Sequence, residues 1–454
     1  MSDISASSAR AEGEQAGGIP IRRAGQRTVA LAGIPLGFAR RAAVGWGRRL
    51  VGGDREQISA DLARRGAEEL FAVLSQLKGG AMKVGQALSV FEAAVPAEFA
   101  RPYRDALSRL QSAAEPIPAA QVHRVLAEQF GRGWRGRFRD FDDTAAAAAS
   151  IGQVHRGIWA DGRDVAVKVQ YPGAEEALLA DLGQLQRFGR LLQPLLPGLA
   201  AKPLLAELRA QMAHELDYRA EADHQRVFAA TYDGDDTILV PRVVASAPRA
   251  IVSEWVDGTP LAAIISRGDT AGRDRAGQAL VEFHNSAPQR ARLLHADPHP
   301  GNFRLLSDGR LGVLDFGAVA RLPDGMPRPL SRLTRLALDG RAEELLALLH
   351  SEDLVRPGVS LPAIDALEFF APLAEPMATA EFHFTRGWLR SRAGRVTDPH
   401  QAEFRTGRGL NLPEQYMLIH RVTLGSIGML CQLGATVRVR EVVQRWQPGF
   451  TEAA

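Results

Sequence analysis

Apolar and polar residues follow two different repeats along this chain. Short runs with strict alternation, or short apolar runs between turn residues, are typical of β-strands. Such runs cover residues 165–169, the beginning of 251–258, and 311–314. Longer stretches with a helical repeat of apolar residues cover 70–94, 204–228 and 330–447. We therefore predict an α+β chain in which strands precede a mostly helical C-terminal part.

Two apolar stretches bear on membrane association. Residues 29–39 are too short to span a bilayer and have arginines on both sides. They fit either a helix on a membrane surface or a soluble helix docked on the rest of the protein. Residues 417–435 include His420, Arg421 and Gln432, which favours a buried helix over a transmembrane one. We expect a cytoplasmic protein with at most peripheral contact to the inner membrane.

The composition excludes several classes of protein. The chain has 55 basic and 52 acidic residues and a net charge of +3, so we expect no nucleic-acid partner. The single cysteine, Cys431, excludes an intramolecular disulfide framework and fits a reducing compartment. The first 18 residues are rich in small and polar types and lack the pattern of a secretory signal, so we expect them to be disordered.

The strongest chemical signal lies in residues 294–302 and 313–317. Asp297 and Asn302 have the H-x-D-x-x-x-x-N spacing of a kinase catalytic loop, and Asp315 begins an Asp-Phe-Gly turn. Asp297 would accept or orient the proton of an attacking hydroxyl or water. Asn302 and Asp315 would supply oxygen ligands for magnesium on ATP phosphates. Each half alone is ordinary turn chemistry, and His295 and His299 are expected to be scaffold residues.

An upstream lysine must reach the phosphates from a strand, and Lys168 in Val-Ala-Val-Lys supplies it. Before it, residues 144–154 align with a glycine-rich nucleotide loop, with Gly152 as the third glycine. Ala147 and Ala149 stand at the first two glycine positions, and the segment expected to contact nucleotide comprises Ala147, Ala148, Ala149, Ser150, Gly152 and Val154. Because alanine disfavours positive φ, nucleotide contacts should differ from those of a glycine loop. An alanine-rich helix start is the alternative reading.

Two further segments complete a nucleotide site. The predicted helix 204–228 carries Glu215, Asp217 and Glu221, which do not share one face and therefore serve different partners or solvent. Residues 251–258 read as a strand followed by a linker, where backbone groups from Glu254 to Val256 would hold adenine. A plain edge strand is the alternative for this second segment.

Residues of about 28 to 440 resemble the AarF/UbiB-type atypical kinases, which are associated with ubiquinone and other isoprenoid-quinone lipids. The resemblance rests on several motifs in order: Lys83-Val84-Gly85-Gln86, the alanine segment Ala147 to Ser150, Val165 to Gly173, Glu215-Leu216-Asp217, and the two catalytic segments. It implies a bilobal protein-kinase-like fold with a small β-rich lobe, a helical lobe and an N-terminal helical extension.

The resemblance also implies roles for individual residues. Lys168 would pair with Glu221, while Lys83, with Gly85 and Gln86 beside it, would lie over the active site facing Glu215 and Asp217 and regulate access to it. Protein substrates would then be disfavoured relative to small or lipid acceptors, with ATP and Mg²⁺ as cofactors. One departure is His224, which stands where the family commonly has asparagine.

The domain division implied by these motifs has four parts. We predict a disordered tail at 1–27, a helical extension at 28–140, a smaller lobe at 141–258 and a larger, mostly helical lobe at 259–454. The expected partners are ATP or ADP and a lipid or prenyl-quinone-related molecule, with a homodimer left open. The alternatives are a nucleotide-dependent lipid-binding or scaffold module with little turnover, and a phosphotransferase of the antibiotic-kinase type.

Overall fold

The computed structural model describes residues 116–149, 151–176, 216–398 and 400–451. The predictions for the N-terminal tail, the 29–39 segment and the 70–94 helix lie outside these residues. The described strands, in chain order, are β1 (Phe138–Ala149), β2 (Gly152–Trp159), β3 (Asp164–Gln170), β4 (Ile238–Leu239), β5 (Val243–Ala247), β6 (Ala250–Glu254), β7 (Thr259–Pro260), β8 (Leu293–His295), β9 (Phe303–Leu305), β10 (Leu311–Val313), β11 (Val319–Arg321), β12 (Phe382–His383) and β13 (Thr436–Val437).

The described helices begin before the first strand and dominate the second half of the chain. They are α1 (Ala119–Phe130), α2 (Tyr218–Thr231), α3 (Leu261–Arg267), α4 (Thr270–Arg290), α5 (Arg328–Leu338), α6 (Ala342–Ser351), α7 (Ala363–Ala374), α8 (Arg386–Thr397), α9 (Ala402–Gly409), α10 (Glu414–Leu433) and α11 (Val439–Trp446). Short 3₁₀ turns lie at Trp134–Arg137, Pro300–Asn302 and Glu375–Met377. The predicted order of strands before helices is confirmed.

An antiparallel five-stranded sheet, in the order β1-β2-β3-β6-β5, forms the smaller lobe. Its strand β3 alternates strictly, so that Val165, Val167 and Val169 are fully buried on one face. That face packs against Val122, Val125 and Leu126 of α1 in one apolar cluster. Because side chains of a strand point alternately to its two faces, Lys168 projects to the opposite face.

The helix that packs on this opposite face starts later than its sequence pattern suggests. We predicted a helix over 204–228; α2 begins at Tyr218 and continues to Thr231. Asp217 is the N-cap, and its carboxylate accepts a hydrogen bond from the Arg219 amide at 2.9 Å. The prediction of one continuous helix was therefore wrong at Leu216 and Asp217, which are not helical, because Asp217 caps the start of α2. Residues 204–215 lie outside the described part of the chain.

The alanine-rich segment forms neither a helix nor a separate loop. Residues up to Ala149 belong to β1, and Ala149 pairs with Gly152 across a tight hairpin to β2. Ala147 and Ala148 are exposed and pair with Val154 and Gln153. Pairing along a whole edge of the sheet outweighs the helix propensity of alanine, which is a weak preference.

Within the described residues, the larger lobe contains two buried apolar clusters. One surrounds α4 and includes Phe283, Phe303 and Phe316, and the other joins α5, α6 and the first half of α10 through residues such as Leu333 and Leu345. The strands β4, β10, β9 and β7 form a small sheet at the start of this lobe, and β8 pairs with β11. Within the described residues, no helix is both long and apolar enough to cross a membrane.

Candidate active site

Lys168 lies between two carboxylates that come from distant parts of the chain. Its Nζ donates to Glu221 Oε1 and Oε2 at 2.7 and 2.9 Å, and to Asp315 Oδ2 at 3.0 Å. Glu221 is one turn into α2, and Asp315 follows β10, so the lysine joins three elements. It also lies 5.0 Å from the centre of the Tyr218 ring. The pairing of Lys168 with Glu221 agrees with the role that the resemblance implied.

The charge of Lys168 is maintained by these neighbours. Burial by itself lowers the pKa of the lysine, but the nearby carboxylates of Asp315 and Glu221 outweigh it and raise the pKa well above its ordinary value. The side chain of Glu221 is almost fully buried, and that of Lys168 is mostly buried. A buried charge is tolerated in proteins when it is paired and hydrogen bonded. Lys168 is therefore a fixed cation at neutral pH.

The catalytic-loop motif folds into a turn that brings Asn302 back onto Asp297. Asn302 Nδ2 donates to the Asp297 carbonyl and to Asp297 Oδ2, both at 3.0 Å. The Pro300–Asn302 turn is capped by His299, whose Nδ1 accepts from the Gly301 amide at 3.1 Å. The five-residue spacing in the sequence is thus the spacing of one closed turn.

His295 of the motif and His224 hold the backbone of the Asp-Phe-Gly segment. His295 Nε2 donates to the Asp315 carbonyl at 2.7 Å, and His224 Nδ1 donates to the Phe316 carbonyl at 3.3 Å. The Gly317 amide donates to Asp315 Oδ1 at 3.0 Å, which fixes the carboxylate. These contacts agree with the expectation that His295 and His299 are scaffold residues, and they show where His224 lies.

Arg421 is a neighbour of the catalytic loop that the sequence analysis did not identify. It belongs to α10, and its Nη2 donates to the Ala296 carbonyl at 2.8 Å. The two residues are 125 positions apart in the chain. An arginine within an apolar helical stretch was visible in the sequence, but its partner was not.

The side chains around Asp315 suit a magnesium ion that also has ligands from a nucleotide. Asn302 uses its Nδ2 for Asp297, and no hydrogen bond to its amide oxygen occurs among the described residues. Asp315 adds a carboxylate, and Mg²⁺ in phosphate sites uses one or two carboxylates plus phosphate and water oxygens. The described residues hold no group of three or more acidic, histidine or cysteine side chains able to bind a metal. The donor set therefore fits magnesium only when phosphates complete it.

Gly152 is packed too tightly to carry a side chain. A Cβ at this position would lie 2.3 Å from the Val169 carbonyl oxygen and 2.9 Å from the Tyr218 hydroxyl. Its φ is not in the left-handed region, so backbone freedom does not explain this glycine. The third glycine of the expected nucleotide loop is therefore required by close packing within the sheet. Val154 follows it on the same strand, β2.

The linker between the two lobes starts at the end of β6. The Trp255 amide donates to the Asp164 carbonyl at 2.9 Å and so extends the pairing of β6 with β3. The carboxylate of Glu254 accepts hydrogen bonds from Arg163 and from the Arg242 amide. Val256, the next residue of the linker, is buried. The strand-then-linker reading of 251–258 is confirmed.

Several of the expected site residues are not among those that the structure describes. Lys83, Gly85, Gln86, Ser150 and Glu215 lie outside the described residues. Asp217 is described, and its carboxylate bonds Arg219 at the start of α2. The predicted contact between Lys83 and the pair Glu215 and Asp217 stays a prediction.

Comparison with known proteins gives three consistent findings. A profile of the ABC1 atypical kinase-like domain matches residues 109–348. The mitochondrial atypical kinase COQ8B of Danio rerio is 31% identical over 301 residues, which are 64% of this chain and 47% of that protein. The mitochondrial atypical kinase coq-8 of Caenorhabditis elegans is 32% identical over 425 residues, or 91% of this chain and 55% of that protein. The chain thus spans about half the length of these relatives.

A solved structure is also similar over most of the chain. The complex of Rv3197 with erythromycin from Mycobacterium tuberculosis is 45% identical, with a TM-score of 0.68, covering 88% of this chain and all of that one. This similarity and the matching domain confirm a kinase-like fold, with β-sheets in the N-terminal region and helices in the C-terminal region.

Proposed function

The chain belongs to the ABC1 atypical kinase-like family, and from this premise we propose that it is an ATP-using phosphotransferase or ATPase of the UbiB type. The observation that supports the proposal most directly is the position of Lys168, held at hydrogen-bond distance by both Glu221 and Asp315. Phosphoryl transfer needs a cation on the phosphates and a metal-binding carboxylate beside it. Here the cation is the Lys168 ammonium group, and the Asp315 carboxylate lies beside it.

In this proposal each residue of the site has one task. Lys168 orients the phosphates, and Glu221 positions Lys168. Asp297, held by Asn302, accepts or orients the proton of the attacking hydroxyl or water. Bound magnesium would neutralise charge on the phosphates, and Asp315 and Asn302 would hold it.

The nucleotide would lie between the β1–β2 hairpin and the linker. Because the Trp255 amide already bonds Asp164, the carbonyl of Glu254 and the amide of Val256 are the linker groups we assign to adenine. The exposed alanines at 147 and 148, with Ala149 and Ser150, would face the phosphates. Their β-carbons would keep the backbone farther from the nucleotide than glycine does.

For the acceptor we propose a small molecule or lipid in isoprenoid-quinone metabolism at the membrane. Support comes from the similarity to atypical kinases named COQ8. The family resemblance adds the motif around Lys83, which would lie over the cleft. A homodimer and peripheral membrane contact through residues 29–39 belong to the same proposal. The alternative is a lipid-binding or scaffold module with little turnover; single-turnover ATP assays with and without lipid vesicles separate the two.

The test of the proposal replaces Asp315 with Asn and measures magnesium-dependent ATP hydrolysis. We expect a loss of about a hundredfold or more, because an amide no longer neutralises the metal and no longer pairs with Lys168. The matched control is Asp308→Asn, since Asp308 lies in the exposed turn between β9 and β10 and bonds Arg310. Equal hydrolysis by the Asp315→Asn protein and the wild type would show that the metal assignment is wrong.

A second candidate function is the binding of a macrolide. It is favoured by the similarity to Rv3197, whose structure is described as a complex with erythromycin. Binding of erythromycin to the full chain, measured calorimetrically, tests it. Incubation with erythromycin, magnesium and ATP, followed by mass spectrometry, shows whether the antibiotic is phosphorylated or only bound.

A further inference from the structure

The larger lobe contains a cavity of about 530 Å³ between its two apolar clusters. Leu280 and Leu430 from the first cluster line it, and Leu294, Leu333 and Ile419 from the second cluster line the other side. None of the proposed nucleotide or metal residues lines this space. It is therefore separate from the cleft that holds Lys168.

The size and lining of the cavity distinguish it from a packing defect. Protein interiors pack as densely as organic crystals, and voids larger than a water molecule are few and small. Small-molecule sites are concave, mostly apolar and roughly 300 to 1,000 Å³ in volume, with few polar groups that fix orientation. A space of this size between two clusters has the properties of a ligand site.

One lining residue carries a buried polar atom that points to a ligand. His284 of α4 is 7% exposed, and its Nδ1 donates to the Leu280 carbonyl at 3.0 Å. Its Nε2 is buried and has no hydrogen-bond partner within the described residues. With Nδ1 protonated, the Nε2 of a neutral imidazole is an acceptor. Buried acceptors are normally satisfied, so a donor from a ligand would complete this site.

The cavity also has an entrance. Leu412 lines it and is 40% exposed, and the neighbouring lining residues Arg356 and Asn411 are exposed as well. The Asn411 amide bonds the Leu354 carbonyl at 2.8 Å, which keeps this rim together. The cavity is therefore open to solvent at this rim, and buried residues such as His284 also line it.

We propose that this cavity binds an apolar alcohol, a molecule with a hydrocarbon body and a hydroxyl group that donates to His284 Nε2. The hydrocarbon fills the space between the two clusters. A charged head group would be disfavoured, because the cavity is lined mostly by apolar side chains, among them Leu280, Leu294 and Leu430. This proposal does not depend on whether the nucleotide cleft turns over ATP.

Two isomeric probes test the proposal on the full chain by isothermal titration calorimetry. Decanol donates a hydrogen bond, whereas nonyl methyl ether has the same atoms and nearly the same volume but no donor. We expect decanol to bind about tenfold or more tightly than the ether, because a buried acceptor left unpaired is costly. In the His284→Phe variant this preference should fall to about twofold or less, while the ether still binds.

Filling the cavity should remove binding of both probes. Leu333→Trp places a large side chain in it, and Ser426→Phe does so from α10; circular dichroism selects the variants that fold. The matched control is Ile364→Trp, since Ile364 is 56% exposed on α7 and does not line the cavity. The control should bind both probes like the wild type, and so should Asp315→Asn, which separates this site from the proposed chemistry.

The proposal is wrong if neither probe binds the wild type, or if decanol and the ether bind with equal affinity. It is also overturned if binding persists in a folded variant with a filled cavity. Loss of the preference for decanol in His284→Phe, together with loss of binding on filling the cavity, supports it.

Discussion

Lys168 shows how a single residue acquires a function from its neighbours. The Val-Ala-Val-Lys pattern indicated a lysine on a strand, and the contact with Glu221 follows the family resemblance. The contact with Asp315, 147 positions away, was not predicted from the sequence. It matters because two carboxylates offset the loss of hydration of one buried cation. The lysine thus keeps the charge that phosphate binding requires.

At the same scale, His284 predicts a dependence of stability on pH. Burial, helped by the nearby His295, lowers the pKa of His284 from 6.5 to about 3. Between these two values the unfolded chain binds one proton more than the folded chain, so stability rises with pH there. The stability is fully present above pH 6.5 and is lost as the pH falls toward 3. From pH 7 to pH 5 we expect a loss of about 2 kcal/mol from this residue.

Urea unfolding of the wild type and of His284→Phe at both pH values checks this prediction. The variant should lose about 2 kcal/mol less than the wild type on acidification. The control is His400→Gln, at an exposed position, which should behave like the wild type. Equal pH dependence of the wild type and His284→Phe would show that the histidine is accessible to protons in the folded state.

At the scale of elements, the β1–β2 hairpin depends on close packing at Gly152. A Cβ there would collide with the Val169 carbonyl of β3, so Gly152→Ala must push β2 away from β3. We expect the variant to be less stable by about 1 to 3 kcal/mol, the usual range for overpacking. Chemical denaturation measures the change.

Gly136→Ala is the matched control for this substitution. A Cβ at Gly136 would meet no atom within 4 Å. The control should therefore change the free energy of unfolding by less than about 1 kcal/mol. If the two alanine variants were equally stable, the hairpin would be more adaptable than its packing indicates.

Helix α2 and strand β1 show how elements depart from local preference. The 204–228 prediction continued through the start of α2, because it gave no weight to Asp217 as a cap, although Asp is among the preferred N-cap residues. The alanines of β1 favour helix by propensity, yet their hydrogen bonds are made with β2. In both cases a stronger local or long-range hydrogen bond decided the element.

At the scale of the whole molecule, Lys168 connects the lobes, because Asp315 belongs to the larger one. A nucleotide bound with magnesium at this junction stabilises the folded protein according to its concentration. At a hundred times Kd we expect an increase of about 2.7 kcal/mol in the wild type, seen as a higher melting temperature. Lys168→Met should lose most of this increase, and removal of magnesium with EDTA should do the same.

Arg438→Met is the control for that experiment, since Arg438 precedes α11 and forms an exposed ion pair with Glu381. Its response to nucleotide should match that of the wild type, because an exposed pair contributes little. An undiminished response in Lys168→Met would contradict the assignment of the phosphate site to this lysine.

The sequence by itself determined the parts whose signal is local. Alternation identified β3, and short apolar runs identified β6 and β10. The spacing from Asp297 to Asn302 is that of one closed turn. Motif order was enough to recognise the family, whose domain profile covers 109–348. Each strand, turn or single motif can be recognised in the sequence, because it depends on residues within a few positions of one another.

Only the tertiary structure decided the features that join distant residues. The contact of Arg421 with Ala296, the packing that requires Gly152, and the cavity between the two clusters of the larger lobe are examples. Each depends on how preformed elements approach one another. That approach is set by packing of whole faces, and no short stretch of sequence encodes it.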